Sequence, residues 1–154
     1  MRLAFLLVLA LLAALAFACG GGGDGGLQTA TMALIDGGGK RSELTVEIAR
    51  TPAERGRGLM FREEMAEERG MLFLFGQDTN AGFWMKNTKI PLSIAFIDRE
   101  GTIMETQDME PLADKTHTPA QAYRYALEVN QGWFVRHGLG AGDRVEIPAE
   151  AKAE

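Results

Sequence analysis

Thiols, imidazoles and basic patches are scarce in this chain. Cys19 is the single cysteine among 154 residues, so no internal disulfide can form and a cysteine zinc cage lacks ligands. His117 and His137 are the only imidazoles, which leaves few groups for a general base or a histidine metal ligand. Lys and Arg number 16 against 21 Asp and Glu, a formal net charge of −5, and no basic block occurs. Nucleic acid is therefore not an expected partner. The sequence has no Met-x-x-Met and no His-x-x-x-His pair. Thioethers suit Cu(I), yet Met32, Met71 and Met85 sit in apolar contexts and read as core filler. No metal and no cofactor is expected. The chain also lacks a nucleophile elbow, an internal repeat and a βαβ alternation. At this length it makes one domain with an ordinary core.

What is present begins at the N-terminus. Arg2 precedes an unbroken apolar run over residues 3–18, shorter than the roughly 20 residues that a transmembrane helix needs. The run ends in Leu15-Ala16-Phe17-Ala18-Cys19, with small residues at Ala16 and Ala18. This junction resembles the lipobox of bacterial lipoproteins, although Ala16 stands where Leu is commoner. The resemblance implies cleavage before Cys19, diacylglycerol on its thiol and acylation of the new amino group. Residues 20–26 hold six Gly and Asp24, a flexible tether with nothing to bury. Two or more acyl chains give stable anchoring where one is marginal. Loss of residues 1–18 removes one Arg from the 16 basic residues, leaving 15 against 21 acidic, a formal −6. Such a body has no electrostatic pull of its own toward anionic lipid. The expected layout is a lipoprotein signal peptide at 1–18, lipidated Cys19 and its tether through 26, a folded body at 27–148 and a disordered tail at 149–154. The expected location is the cell membrane or outer membrane, with the body facing the periplasm or the cell exterior.

The body is mostly period two. Residues 29–35 alternate loosely, and Asp36-Gly37-Gly38-Gly39 makes a turn. Leu44, Val46 and Ile48 alternate with Glu43, Thr45 and Glu47, a half-buried strand. Thr51-Pro52-Ala53-Glu54 starts a short helix: an N-cap, Pro at the first helical position and Glu at the third. Residues 62–69 read as a charged connector and 70–75 as a strand apolar on both faces. Residues 83–85 read as another short strand, and 90–97 pairs through an Asp98–Gly101 turn with 102–107. Residues 114–119 are a polar loop. Tyr123, Tyr125, Leu127 and Val129 alternate as a strand, 133–137 forms a helical turn closed by Gly138, and 144–147 is a final strand. Many short strands with turn signals predict an all-β fold. It is a single compact β-sandwich or barrel with short helical turns.

One stretch is unusual in its density of large and polar side chains. It reads Arg57-Gly58-Leu59-Met60-Phe61-Arg62, Gly70-Met71-Leu72-Phe73, then Phe83-Trp84-Met85-Lys86-Asn87-Thr88-Lys89-Ile90-Pro91-Leu92. Phe96-Ile97-Asp98 and Leu127-Glu128-Val129-Asn130 follow. This order resembles a widespread prokaryotic family known only as domain of unknown function 192 (DUF192), over about residues 44–147. The resemblance implies frequent export and a compact jelly-roll β-sandwich, and it brings no established activity. The family commonly has Asp where this chain has Ser93, so a role for that carboxylate is missing here.

Along residues 83–86, Phe83 and Met85 face one way and Trp84 and Lys86 the other. An indole, a cation, an amide and a hydroxyl in one segment suit a sugar or peptide-like ligand. The candidate binding residues are Arg62, Trp84, Lys86, Asn87, Thr88 and Glu128, with Arg62 and Lys86 able to clamp an anion if they converge. Each has a structural alternative. Trp84 can be core, Asn87-Thr88 can brace a turn, and Arg62 can pair with Glu128 or Asp98. The expected function is a membrane-anchored binding or accessory module for an envelope ligand, whether small molecule, glycan or protein. The alternatives are a hydrolase-like enzyme on envelope polymers, or a structural and assembly partner. Catalysis is the weaker reading and no catalytic residue is named. A pocket joining Arg62, Lys86 and Asn87 favours binding. A His117 bonded to a hydroxyl and a carboxylate favours hydrolysis. An exposed Trp84 in an apolar patch favours an interface.

Overall fold

The computed structural model describes residues 26–152. The signal peptide, Cys19 and the tether up to its last glycine lie outside the described residues, as do the last two residues of the tail.

Strands β1 (Thr29–Ile35) and β2 (Arg41–Ala49) form an antiparallel hairpin. Asp36 shapes its turn: Oδ1 accepts the N–H groups of Gly38 and Lys40, each at 2.9 Å. Helix α1 (Pro52–Arg57) opens on a capping box, in which Thr51 Oγ1 accepts from Glu54 N and Glu54 Oε2 accepts from Thr51 N. Strand β3 (Arg69–Thr79) then runs parallel to β2. Parallel neighbours need a long crossover, and residues 50–68 supply it, carrying α1 and the Gly58–Arg62 segment over one face of the sheet. Strands β4 (Leu92–Ile97) and β5 (Ile103–Met109) form a second hairpin, and β6 (Tyr123–Asn130) inserts between β4 and β3. Helix α2 (Trp133–His137) and strand β7 (Arg144–Glu146) complete the body.

The described strands make one seven-stranded sheet in the order β5-β4-β6-β3-β2-β1-β7. The fold is thus mostly β, a curled half-barrel with minor helical content. Its two edges meet at a seam. Thr102 bridges Arg144, Ile103 N donates to Asp143 O at 2.9 Å, and Val145 N donates to Gly101 O at 2.7 Å. Both faces of the sheet are covered. One cluster contains Met32, Val46, Leu72, Ile97, Leu127, Trp133, Phe134 and Val145. The other contains Met71, Phe73, Met85, Leu92, Ile94, Phe96, Met109 and Tyr123. Leu72 and Leu127 fall in the first, while Met71, Phe73 and Ala126 fall in the second, as period-two alternation demands.

Three local expectations change. Residues 83–85 are not a strand: Phe83 makes a single antiparallel bridge to His117, and the chain then turns, with Thr88 N donating to Met85 O. His117 is buried rather than solvated, because that bridge seats it against the sheet. Residues 149–151 form a 3-10 turn with Ala151 buried in the first cluster, where a fraying tail was expected.

Candidate functional site

The pairing register sets the site. Across the second face, Glu47 pairs with Met71, Met71 with Glu128, Glu128 with Ile94, and Ile94 with Gln107. The row therefore carries three polar side chains spaced by two apolar ones. Each polar member meets a different environment beneath the covering loops.

At one end, Glu47 takes Arg62 bidentately, Nη1 to Oε1 at 2.7 Å and Nη2 to Oε2 at 2.6 Å. This corrects the expected pairing of Arg62 with Glu128 or Asp98. The crossover hands Arg62 to β2, and a fork-to-fork pair joins the guanidinium to both carboxylate oxygens. The Glu47 contact also raises the guanidinium pKa, so Arg62 is a cation committed first to Glu47. At the other end, Gln107 Oε1 meets His117 Nδ1 at 3.1 Å, and the Gln107 amide also donates to Glu105 Oε1 and Thr118 O. His117 thus faces an amide. Burial, then the neighbouring Lys115, lowers its pKa.

The middle member differs from both. Glu128 is 5% exposed, and among the described residues its side chain makes no hydrogen bond or salt bridge. Burial alone pushes its pKa up to about 8. It forms the floor of a narrow cavity of about 30 Å³ that opens to the surface. The walls include Leu59, Phe73, Phe83, Trp84 and Thr88, with Arg55 and Arg57 of α1 alongside. A space of that size accommodates one or two small groups the size of water.

The walls are braced. Phe83 packs edge-on against Phe73 at 5.0 Å and lies 6.0 Å from Phe96, fixing the loop that carries Trp84 to the sheet. Tyr123 OH donates to Ala81 O at 2.7 Å just upstream. Met85 is buried and Trp84 is 53% exposed, so the expected alternation of facing holds. The Lys86 ammonium lies 5.3 Å from the Trp84 ring centroid, a cation–π contact. Thr88 is buried and donates to Lys86 O. Asn87 adopts φ 58°, and its carbonyl accepts the N–H of Phe61, itself at φ 66°. The Thr88 carbonyl accepts the N–H of Leu112, at φ 58°. Three left-handed non-glycine residues thus gather at one turn, where backbone strain marks an over-determined site. The same turn collects three exposed large apolar side chains: Phe61, Trp84 and Leu112.

The structure therefore joins Trp84, Thr88 and Glu128 in one pit, sets Lys86 and Asn87 at its rim and leaves Arg62 in a separate ion pair. Glu47, Phe73, Phe83 and His117 belong to the surroundings and were not among the expected site residues. Ser93, in place of the family's Asp, accepts the Gly132 N–H at 2.9 Å and donates to Asp108 opposite it on β5. Among the described residues, no three His, Cys, Asp or Glu side chains gather as a metal site requires.

A curled half-barrel with an acid-floored pit under its crossover is the class of protein that fold and site define. The chain belongs to the DUF192 family, described as an uncharacterised ACR family, whose model matches residues 33–147. Several solved structures are similar to it, two of them as follows. A Sinorhizobium meliloti protein named as a candidate transcription regulator is 38% identical, with TM-score 0.78, over 80% of this chain and 97% of that one. A Novosphingobium aromaticivorans protein of unknown function is 37% identical, with TM-score 0.76, over 80% of this chain and 88% of that one. No functionally curated protein matches the chain.

Proposed function

We propose that this protein is a lipid-anchored, extracytoplasmic binding module whose ligand enters the pit between Trp84 and Glu128. The observation that carries the reading is the Glu128 carboxyl, which lines a surface-opening cavity and, among the described residues, makes no hydrogen bond or salt bridge to the protein. No buried side-chain oxygen or nitrogen is orphaned among the described residues, so the Glu128 carboxyl is reached through the opening, where a ligand's polar group can take the place of water. The anchor rests on the apolar run, Ala18-Cys19 and the glycine tether. The regulator name of the S. meliloti relative is not carried over, because the chain is acidic overall and its sequence has no basic block.

Two experiments test this. A thermal-shift screen of envelope-derived small molecules and glycans on the full chain is expected to give hits that Trp84→Ala and Glu128→Gln weaken. A hit indifferent to both substitutions moves the site elsewhere. Cys19→Ser is expected to shift the protein from the membrane to the soluble fraction, and persistence in the membrane pellet overturns the anchor.

A second reading has its own observation. Phe61, Trp84 and Leu112 are exposed around one turn, a cluster that also suits a protein interface. In that case Phe61→Ser and Leu112→Ser abolish association while Glu128→Gln leaves it intact.

A further inference from the structure

We infer that the pit takes the ammonium head of a primary amine, which passes the rings of Phe73, Phe83 and Trp84 to pair with the Glu128 carboxylate. The inference rests on the reading of the pit as the ligand site and adds the chemical class of the ligand.

Three features of the pit converge on it. The first is charge. Met71 and Ile94 flank Glu128 on its neighbouring strands and bring it no charge. Three of the four cations around it are engaged elsewhere. Arg55 lies 4.8 Å from the Phe75 ring centroid and donates to the carbonyls of Arg50 and Leu74. Arg62 is bound to Glu47, and Lys86 rests on Trp84. Arg57 lines the pit without a salt bridge to Glu128. His117 faces Gln107, and Tyr123 donates to Ala81 O. A buried carboxyl paired to no cation is held in its neutral form, and an entering cation ionises it. The second is the wall: aromatic faces attract cations, and this indole already holds one in Lys86. The third is size. A cavity of about 30 Å³ admits a head group near the size of water, so a primary ammonium fits and a trimethylammonium does not.

The proton balance is explicit. Below about pH 8, Glu128 carries a proton. The incoming ammonium keeps its three hydrogens, the Glu128 O–H bond breaks and that proton leaves to solvent. Affinity therefore rises tenfold per pH unit up to about pH 8 and then levels until the amine itself deprotonates. A neutral acceptor such as an amide would use the Glu128 O–H as donor, and its affinity would fall above pH 8.

Ethylammonium chloride is the probe, with acetamide and tetramethylammonium as comparators. The full chain, carrying ¹³C-labelled Glu and held in non-ionic detergent, is titrated from pH 5 to 10 while the Glu128 carboxyl resonance is followed. Saturating ethylammonium is expected to lower the apparent Glu128 pKa by at least one unit. Its affinity should rise about tenfold between pH 6 and 7, with no response to tetramethylammonium. Glu128→Gln should abolish ethylammonium binding, and the wild-type titration decides the matter even if that variant misfolds. A Glu128 titration unmoved by ethylammonium overturns the inference. If acetamide perturbs the pit and ethylammonium does not, the amine class fails and the binding site stands. If neither does, both fail.

Discussion

Replacing Glu128 by Gln makes the pH dependence of stability a direct measure of the buried acid. In the unfolded chain this group ionises near 4.5, and in the folded protein near 8. Between those values the folded state holds a proton that the unfolded state has released. Its stabilising contribution is therefore complete below pH 4.5 and declines as pH rises, until the folded group ionises near 8. At about 1.4 kcal/mol per pKa unit, the loss across that window is on the order of 5 kcal/mol. This is a large share of a small domain's stability of about 5–15 kcal/mol. Glutamine has nearly the same shape and no proton to lose. Urea unfolding of both proteins at half-unit steps from pH 5 to 9 isolates the effect, because subtraction cancels every other titrating group. The gap is expected to widen in favour of the Glu128→Gln variant by about 1.4 kcal/mol per pH unit and to level off above pH 8. A gap constant from pH 5 to 8 refutes the reasoning, since Glu128 would then ionise in the ordinary carboxylate range and be solvated.

Arg62→Ala frees a half-buried Glu47 and is expected to cost about 1–2 kcal/mol in urea unfolding, with Arg62→Lys recovering part of it, since a point charge replaces a fork. Asn87→Gly should be close to neutral and Asn87→Val should cost more than about 1 kcal/mol, because φ 58° is hard for a β-branched residue; equal melting temperatures for the two variants would contradict the strain. Burial lowers the His117 pKa, so its contribution to stability is intact above pH 6.5 and is lost as pH falls through the folded-state value. Histidine NMR titration should place that midpoint below the ordinary histidine value of 6.5, and His117→Gln should flatten the acid limb of the stability curve.

Local signals in the sequence were legible wherever the physics is local. The capping box at Thr51, the Asp36 turn, the alternation of β6 and the closure of α2 at Gly138 each depend on residues within a few positions. The partner of Arg62 was not legible. Glu47 becomes its neighbour because β2 and β3 run parallel and the crossover folds back across them, which no short window encodes. Residues 83–85 have the composition of a strand, but Asn87 at positive φ turns the chain after one bridge. Trp84, Thr88 and Glu128 were named from residue type alone. That Glu128 lies beneath Trp84 follows from the placement of β6 between β3 and β4, and the strand order was hidden.

The seam has a consequence for the behaviour of this protein in concentrated solution. An unpaired outer strand is a template on which a second chain can add. Here the outermost strands, β5 and β7, stand at opposite ends of the sheet order, and around Gly101–Ile103 each end occupies hydrogen bonds that the other would otherwise offer. Their mutual protection depends on a few bonds around Gly101. That residue sits at φ 86°, and a β-carbon there would fall 2.5 Å from the Val145 carbonyl oxygen. A methyl group at this one position would pry the seam open and bare two sticky edges at once. Gly101→Ala is thus expected to promote self-association through a local opening of the curl, ahead of unfolding of the body as a whole.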